Sequence, residues 1–254
     1  MYIDAHIHLY DAEYKEIIND IIEEAFNHGI KYIVSVSEDS VTAIKNLGLS
    51  KLNRNILIGL GVHPWTAIYN PGDIDKTVEI ILEYIDEIVC IGEVGLDKKY
   101  EDSIRMWDKQ MDTFNKMIDL ALEYKKPLNI HSRRAARDVL HILNKRDVDQ
   151  AYFHWYTDDL ETLKNIIQHG YYIGFTPSIT YSKRVKKLAY KTPLENILTE
   201  TDGPVRYYGP LKDEITKPSH VTLIINEIAR IKDMDPEYVA REVYNNFIRF
   251  YFKK

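Results

Sequence analysis

Eight short apolar runs, each followed by a segment whose apolar residues fall three and four apart, recur along the whole 254-residue chain. The short runs read as strands and the three-and-four spacing as amphipathic helices. The pairs are 2–9 with 12–28, 30–36 with 41–49, 56–63 with 74–85, and 89–96 with 104–124. They continue as 128–131 with 135–143, 151–154 with 160–169, 171–175 with 183–189, and 197–202 with 219–231. Near-continuous apolar strands separated by helices are the mark of a parallel sheet covered on both faces. Eight such units predict one α/β domain spanning 1–254, a single (β/α)8 TIM barrel, with an open doubly wound sheet as the alternative topology. An extra C-terminal helix is expected over 236–252, with Val239, Val243, Phe247, Ile248 and Phe250 available to dock on the barrel.

The polar residues inside these strands carry the functional signal. In Tyr2-Ile3-Asp4-Ala5-His6-Ile7-His8-Leu9, strand alternation puts Asp4, His6 and His8 on one face, so two imidazoles converge. A divalent metal is the usual reason for such a pair, against the plainer reading of polar residues on a half-buried edge strand. His63, Glu93, His131, His154 and Asp202 each fall at or near the end of a later strand. In a parallel barrel those ends gather at one mouth, where active sites of this architecture lie. The remaining histidines look structural. His28 and His169 precede glycines at helix C-termini, and His141 and His220 fall on helical segments.

Cys90 is the only cysteine, which excludes an internal disulfide and a thiolate metal cluster and leaves nitrogen and oxygen donors. Zinc, manganese, cobalt and magnesium all suit such donors, and a histidine-rich set favours the transition metals. A reducing cytoplasm fits the cysteine content, and neither a membrane span nor a signal peptide is read from the sequence. The net charge of −6 argues against a broad basic surface for nucleic acid, though not against local grip on a few phosphates. Oligomeric state is not legible.

Six motifs now stand in order: Asp4-Ala5-His6-Ile7-His8, Gly61-Val62-His63-Pro64, Ile91-Gly92-Glu93-Val94-Gly95-Leu96-Asp97, Ile130-His131-Ser132-Arg133, His154, and Glu200-Thr201-Asp202-Gly203-Pro204. Together they resemble the TatD family of metal-dependent hydrolases across essentially the whole chain. The resemblance implies a barrel with a one- or two-metal centre and phosphodiester hydrolysis of DNA. It also implies one ion held by His6, His8, Glu93 and Asp202, a second by Glu93, His131 and His154, and Glu93 bridging. Two stretches depart from the family's pattern. Trp155-Tyr156-Thr157 replaces a small Cys-Phe-Ser-Gly-like run, and Arg206-Tyr207-Tyr208-Gly209-Pro210 replaces an Arg-rich stretch.

The chemistry of the residues agrees with this. Two ions about 3.5–4 Å apart stabilise the attacking and leaving oxygens of phosphodiester cleavage, and a bridging carboxylate suits that spacing. Asp202 is the expected general base, with His63 the next candidate and a possible substrate contact. Glu200 lies one layer deeper as a hydrogen-bond partner to the ligands. Arg133 is placed to grip a phosphate bidentately, although a surface salt bridge is the plainer reading. The Lys183-Arg184-Val185-Lys186-Lys187 cluster reads first as a solvated helix face. The leading expectation is therefore a deoxyribonuclease of the 3'-5' exonuclease kind, with its substrate bound at the barrel mouth. Hydrolysis of a small cyclic amide or lactone is the second reading, with Trp65, Trp155, Tyr156 and Tyr207 as its apolar pocket. A non-catalytic metal-binding scaffold is the third.

Overall fold

The computed structural model describes residues 1–100 and 103–252. Its strands are β1 (Tyr2–Ile7), β2 (Ile30–Val36), β3 (Ile56–Leu60), β4 (Cys90–Gly95), β5 (Leu128–His131), β6 (Ala151–Phe153), β7 (Tyr172–Phe175) and β8 (Ile197–Thr199). They form one parallel sheet in chain order. The seam between β8 and β1 is bridged by Asp202 N–H donating to His6 O at 2.9 Å and His8 N–H donating to Gly203 O at 2.9 Å. Thr199 Oγ1 adds a bond to Ile3 O at 3.0 Å, so the barrel is nearly closed. All six residues of β4 are buried, as the continuous apolar reading of parallel strands requires.

The helices are α1 (Ile18–Asn27), α2 (Ser40–Leu49), α3 (Pro64–Tyr69), α4 (Ile74–Glu83) and α5 (Ile104–Tyr124). They continue as α6 (Ala136–Lys145), α7 (Leu160–Gln168), α8 (Lys183–Lys191), α9 (Val221–Lys232) and α10 (Pro236–Tyr251). Side-chain caps start several of them. Asp39 forms a capping box with Thr42, and Asp159, Ser182 and Asp235 accept from the first-turn amides of α7, α8 and α10. Among the described residues no helix is long and apolar enough to cross a membrane.

Three departures from the periodicity matter. The expected helix over 12–28 is split into a short 3-10 turn at Ala12–Tyr14 and α1, because Tyr14 turns inward to Thr216 O while Ile17 stays 37% exposed. The run 56–63 ends as a strand at Leu60. His63 instead caps α3, a helix whose Pro64 sits at the first turn, where its missing N–H costs nothing. Likewise β1, β6 and β8 stop one to three residues short of His8, His154 and Asp202. His8, His154 and Asp202 thus sit on loop residues just beyond the strands, whereas His6, Glu93 and His131 lie within β1, β4 and β5.

The C-terminal helix is present. On α10, Val239, Val243, Phe247 and Phe250 are buried and Ile248 is half-buried against the core. Phe250 packs edge-on against Tyr152 and Tyr172, and Tyr251 reaches Asn129, so α10 plugs the end of the barrel opposite the mouth.

Candidate metal centre

Glu93 is 2% exposed, and its two carboxylate oxygens face different neighbours. Oε1 lies 2.7 Å from His131 Nδ1, 2.8 Å from His154 Nε2 and 3.7 Å from His63 Nε2. Oε2 lies 3.6 Å from His6 Nε2 and 3.5 Å from His8 Nε2. Asp202 Oδ1 closes the second group at 3.4 Å from His6 Nε2 and 3.3 Å from His8 Nε2. Every residue expected in the ring is therefore in one cluster, arranged as two donor groups that share one carboxylate.

Two glycines make this approach possible. A Cβ on Gly95, at φ +145°, would sit 2.0 Å from His131 O, and one on Gly92 would sit 2.5 Å from the Asn129 Cβ. Only a strand bare on that side lets β4 press against β5 closely enough to bring Glu93 to His131.

Hydrogen bonds behind the cluster fix the imidazoles. His6 Nδ1 is 2.9 Å from Asn129 Oδ1, and Asn129 Nδ2 donates to Ala5 O at 3.2 Å. That leaves the amide oxygen as acceptor, so His6 carries its proton on Nδ1 and offers Nε2. His8 Nδ1 is 3.1 Å from the Tyr10 hydroxyl, which donates to Glu38 Oε2 at 2.6 Å. His8 is thereby also turned to offer Nε2. His131 is reversed: Nε2 lies 2.8 Å from Asp97 Oδ2, which frees Nδ1. His154 offers Nε2 and leaves Nδ1 without a hydrogen-bond partner, 3.9 Å from Glu200 Oε2.

With the rings neutral, as metal ligands must be, these orientations point unprotonated nitrogens at one another: His6 Nε2 and His8 Nε2 are 3.4 Å apart, and His131 Nδ1 and His154 Nε2 are 3.2 Å apart. Facing lone pairs repel unless a cation lies between them. Two nitrogens each bound at ~2.1 Å to one ion at a tetrahedral angle are roughly 3.4 Å apart, so the spacing is that of donors around an ion. Three triads satisfy the geometry: His6, His8, Glu93; His6, His154, Asp202; and His63, Glu93, His131. The donor set fits a divalent metal.

Charge in the cluster is strongly coupled. Burial favours a neutral carboxyl at Glu93 and Asp202, yet the surrounding imidazoles hold both well below the usual range. Burial also disfavours the imidazolium of His6 and His131, but Asp202 and Glu93 raise His6 to about 10, and Asp97 and Glu93 raise His131 to about 9. His63 goes the other way: burial pushes it down to about 3. Its Nδ1 accepts from Trp65 N–H at 3.2 Å, so with no ion bound to it the neutral ring carries its proton on Nε2, which lies 3.7 Å from Glu93 Oε1. Glu200, fully buried and gripped by the Tyr152 hydroxyl and Trp155 N–H, is pushed up to about 8 by burial.

Asp97, Asn129, Tyr10 and Glu38 are the site residues that strand-end reasoning missed. Asp97 is fully buried and binds both His131 and Arg133, whose Nη2 is 2.6 Å from Asp97 Oδ2. Its signal was present: it ends the Glu93 motif two residues past β4. The amide of Asn129 in the middle of an apolar strand was a comparable signal.

A cavity of about 680 Å³ opens above the cluster. His63, Trp65, Tyr100, Arg133 and Trp155 line it, together with Asp11, Glu13 and Glu38. Arg133 is thus at the mouth and paired with Asp97 at the same time. Tyr156 and Tyr207, expected in the cavity wall with the tryptophans, do not line it: both are buried and bond to Asp159 O at 2.7 Å and Thr201 O at 3.0 Å, although the Tyr207 ring stands 5.6 Å from that of Trp155. The lysine-rich cluster lies on α8, where Lys186 pairs with Glu227 at 2.8 Å, and none of it lines the cavity. His28 and His169 bond through Nδ1 to Glu24 O and Asn165 O, as helix-terminal residues do.

Residues 3–252 match the family model described as TatD related DNase. An uncharacterized metal-dependent hydrolase of Methanocaldococcus jannaschii is 33% identical over 253 residues, covering 100% of this chain and 98% of that protein. A deoxyribonuclease of Homo sapiens is 28% identical over 261 residues, covering 99% of this chain and 94% of that one. The crystal structure of a TatD homologue from Escherichia coli superposes with a TM-score of 0.91 at 21% identity, covering 98% of this chain and 97% of that chain. A barrel whose strand ends converge on a shared carboxylate, matched end to end by one family of hydrolases, leaves one assignment: the chain belongs to the TatD family of metal-dependent hydrolases.

Proposed function

We propose that this protein hydrolyses DNA phosphodiester bonds from a strand end, as a 3'-5' exonuclease, with one or two divalent ions. The observation that carries the reading is Glu93, which presents one oxygen to His131 and His154 and the other to His6 and His8. In this reading His6, His8, Glu93 and Asp202 hold one ion, while Glu93, His131 and His154 hold the second. A bound divalent ion polarises the phosphoryl oxygen and lowers the pKa of water toward about 7. The human relative is named a deoxyribonuclease, which supports the choice of substrate.

The residues divide the work. Asp202 orients the attacking water and accepts its proton, since its Oδ1 faces the centre of the cluster, 3.4 Å from His6 Nε2 and 3.3 Å from His8 Nε2. His63 donates from Nε2–H to a phosphate oxygen, and with Nδ1 already accepting from Trp65 it serves as a donor and not as the base. Arg133 uses Nε and Nη2 on Asp97, leaving Nη1 for a second phosphate oxygen. Glu200 sits behind His154 and limits its rotation.

Cleavage of single-stranded DNA, a small chromogenic phosphodiester, lactones and cyclic amides is measured after reconstitution with zinc, manganese, cobalt or magnesium. Metal-dependent release of mononucleotides from the 3' end is the expected result. Hydrolysis of lactones or amides alone would move the function to small cyclic substrates, the second reading. That reading draws on Trp65 and Trp155 in the cavity wall and on the pairing of both cavity arginines, Arg133 with Asp97 and Arg206 with Glu13.

A further inference from the structure

The mouth of the barrel is electrically and chemically lopsided. On the side of the β1 and β2 loops the cavity is lined by Asp11, Glu13 and Glu38, of which Glu13 is paired with Arg206. Halfway round the barrel, the loops after β4 and β5 carry cations and aromatic rings. There Arg133 Cζ lies 5.5 Å and Lys99 Nζ 5.8 Å from the Tyr100 ring centre. Tyr69, at the end of α3, stands edge-on to Tyr100 with centroids 6.0 Å apart and planes at 88°. Tyr100 lines the cavity, whereas Tyr69 lies outside it and is 57% exposed. A path of cations and aromatic faces therefore runs outward from the metal centre on this side.

We infer that this rim, Lys99, Tyr100, Arg133 and Tyr69, binds the single-stranded DNA that extends out of the cavity beyond the scissile bond. The inference rests on the DNA reading above and adds the route the strand takes. Asp11 and Glu38 disfavour phosphates on one wall, where Glu13 is paired with Arg206, while on the other the exposed Lys99 ammonium attracts them beside Arg133, whose charge is shared with Asp97. Bases need flat apolar faces, and exposed tyrosine supplies one whatever the base, so contact here is tolerant of sequence. The cavity then holds the terminal nucleotide and the rim holds the next two. This gives a chain of net charge −6 a local means of gripping a polyanion without a broad basic surface.

The test is equilibrium binding, by fluorescence anisotropy, of labelled phosphorothioate thymidine oligomers of two to six nucleotides to the metal-loaded protein. Affinity rises from dimer to tetramer. Tyr69→Ala lowers tetramer affinity roughly tenfold or more, the usual effect of losing one stacking face, and lowers dimer affinity much less. Lys99→Ala reduces the slope of log affinity against log salt by roughly 0.7, the signature of one lost single-strand phosphate contact. Both side chains are on the surface, so matching thermal melts show that the fold is intact. Wild-type binding with no change in either variant overturns the rim and leaves the DNA reading standing. Failure of the wild-type protein to bind any oligomer overturns both.

Discussion

Asn129 of β5 reaches across the barrel to His6 of β1, its Oδ1 lying 2.9 Å from the imidazole Nδ1, and so decides which nitrogen of His6 faces the metal centre. The amide is itself held by Nδ2 donating to Ala5 O at 3.2 Å and meeting the Tyr251 hydroxyl at 3.3 Å. The C-terminal helix thus acts on an expected metal ligand more than 240 residues earlier in the chain. Partners that orient a ligand in this way typically contribute 10–100-fold to metal affinity. Asn129→Ala should therefore weaken metal binding by about that factor, measured by competition with a chelator. Tyr251→Phe should weaken it less, because Asn129 still holds Ala5 O. Equal affinity in wild type and Asn129→Ala would show that His6 is oriented by its ring packing on His154, 4.0 Å away, alone.

Glu93 should matter to both donor groups and His131 to one. Glu93→Ala is expected to lower total metal content broadly, since the oxygens facing His131 and His154 and those facing His6 and His8 go together. His131→Ala should remove no more than one ion and leave the His6, His8 and Asp202 group intact. Elemental analysis of the two purified variants decides the point. The same loss in both would refute a shared carboxylate.

The barrel was legible because its evidence is local. Each strand and helix announces itself by its own spacing, and repetition eight times fixes the topology. The ring of His6, His8, His63, Glu93, His131, His154 and Asp202 was legible for the same reason, since all occupy one place in the repeat. Asn129, Asp97 and Glu38 were not, because their roles are contacts between different units: Asn129 to His6, Asp97 to His131, and Glu38 to His8 through Tyr10. A periodicity says which face a side chain takes but not which neighbour it meets. His63 was misplaced by three residues of structure, on a strand instead of at the cap of α3. That cap decides its proton, and with it whether the ring donates or accepts.

Away from the site, Glu227 on α9 ties together α8 and its own helix, pairing with Lys186 at 2.8 Å and Arg230 at 2.8 Å. The Arg230 and Lys186 bonds depress its carboxyl to about 2. A depressed carboxyl contributes stability above its unfolded value, near 4.5, and loses that contribution as pH falls toward 2. Glu227→Gln should therefore lower stability at pH 7 by ~1 kcal/mol, the scale of partly exposed ion pairs. The gap between variant and wild type should close between pH 4.5 and 2. Urea melts at pH 7, 4 and 2.5 test this, and a gap that stays constant with pH would assign the loss to packing.

Metal binding and turnover should separate at Asp202. Asp202 sits just past β8 at φ +48°, a left-handed turn that aspartate tolerates, with its amide tied to His6 O and Oδ1 facing His6 and His8. Asp202→Asn keeps the shape and a carbonyl oxygen that can still bind an ion, but an amide cannot take a proton from water. General-base contributions typically run about 10²–10⁴-fold, so hydrolysis should fall by that factor while metal content and melting temperature stay near wild type. His63→Gln serves as the comparison. Glutamine restores a donor toward the cavity without a titrating ring, so it should keep more activity than Asp202→Asn if His63 works only as a donor. Activity in Asp202→Asn close to wild type, with the metal still bound, would move the base elsewhere. A loss confined to His63→Gln would place it on that ring.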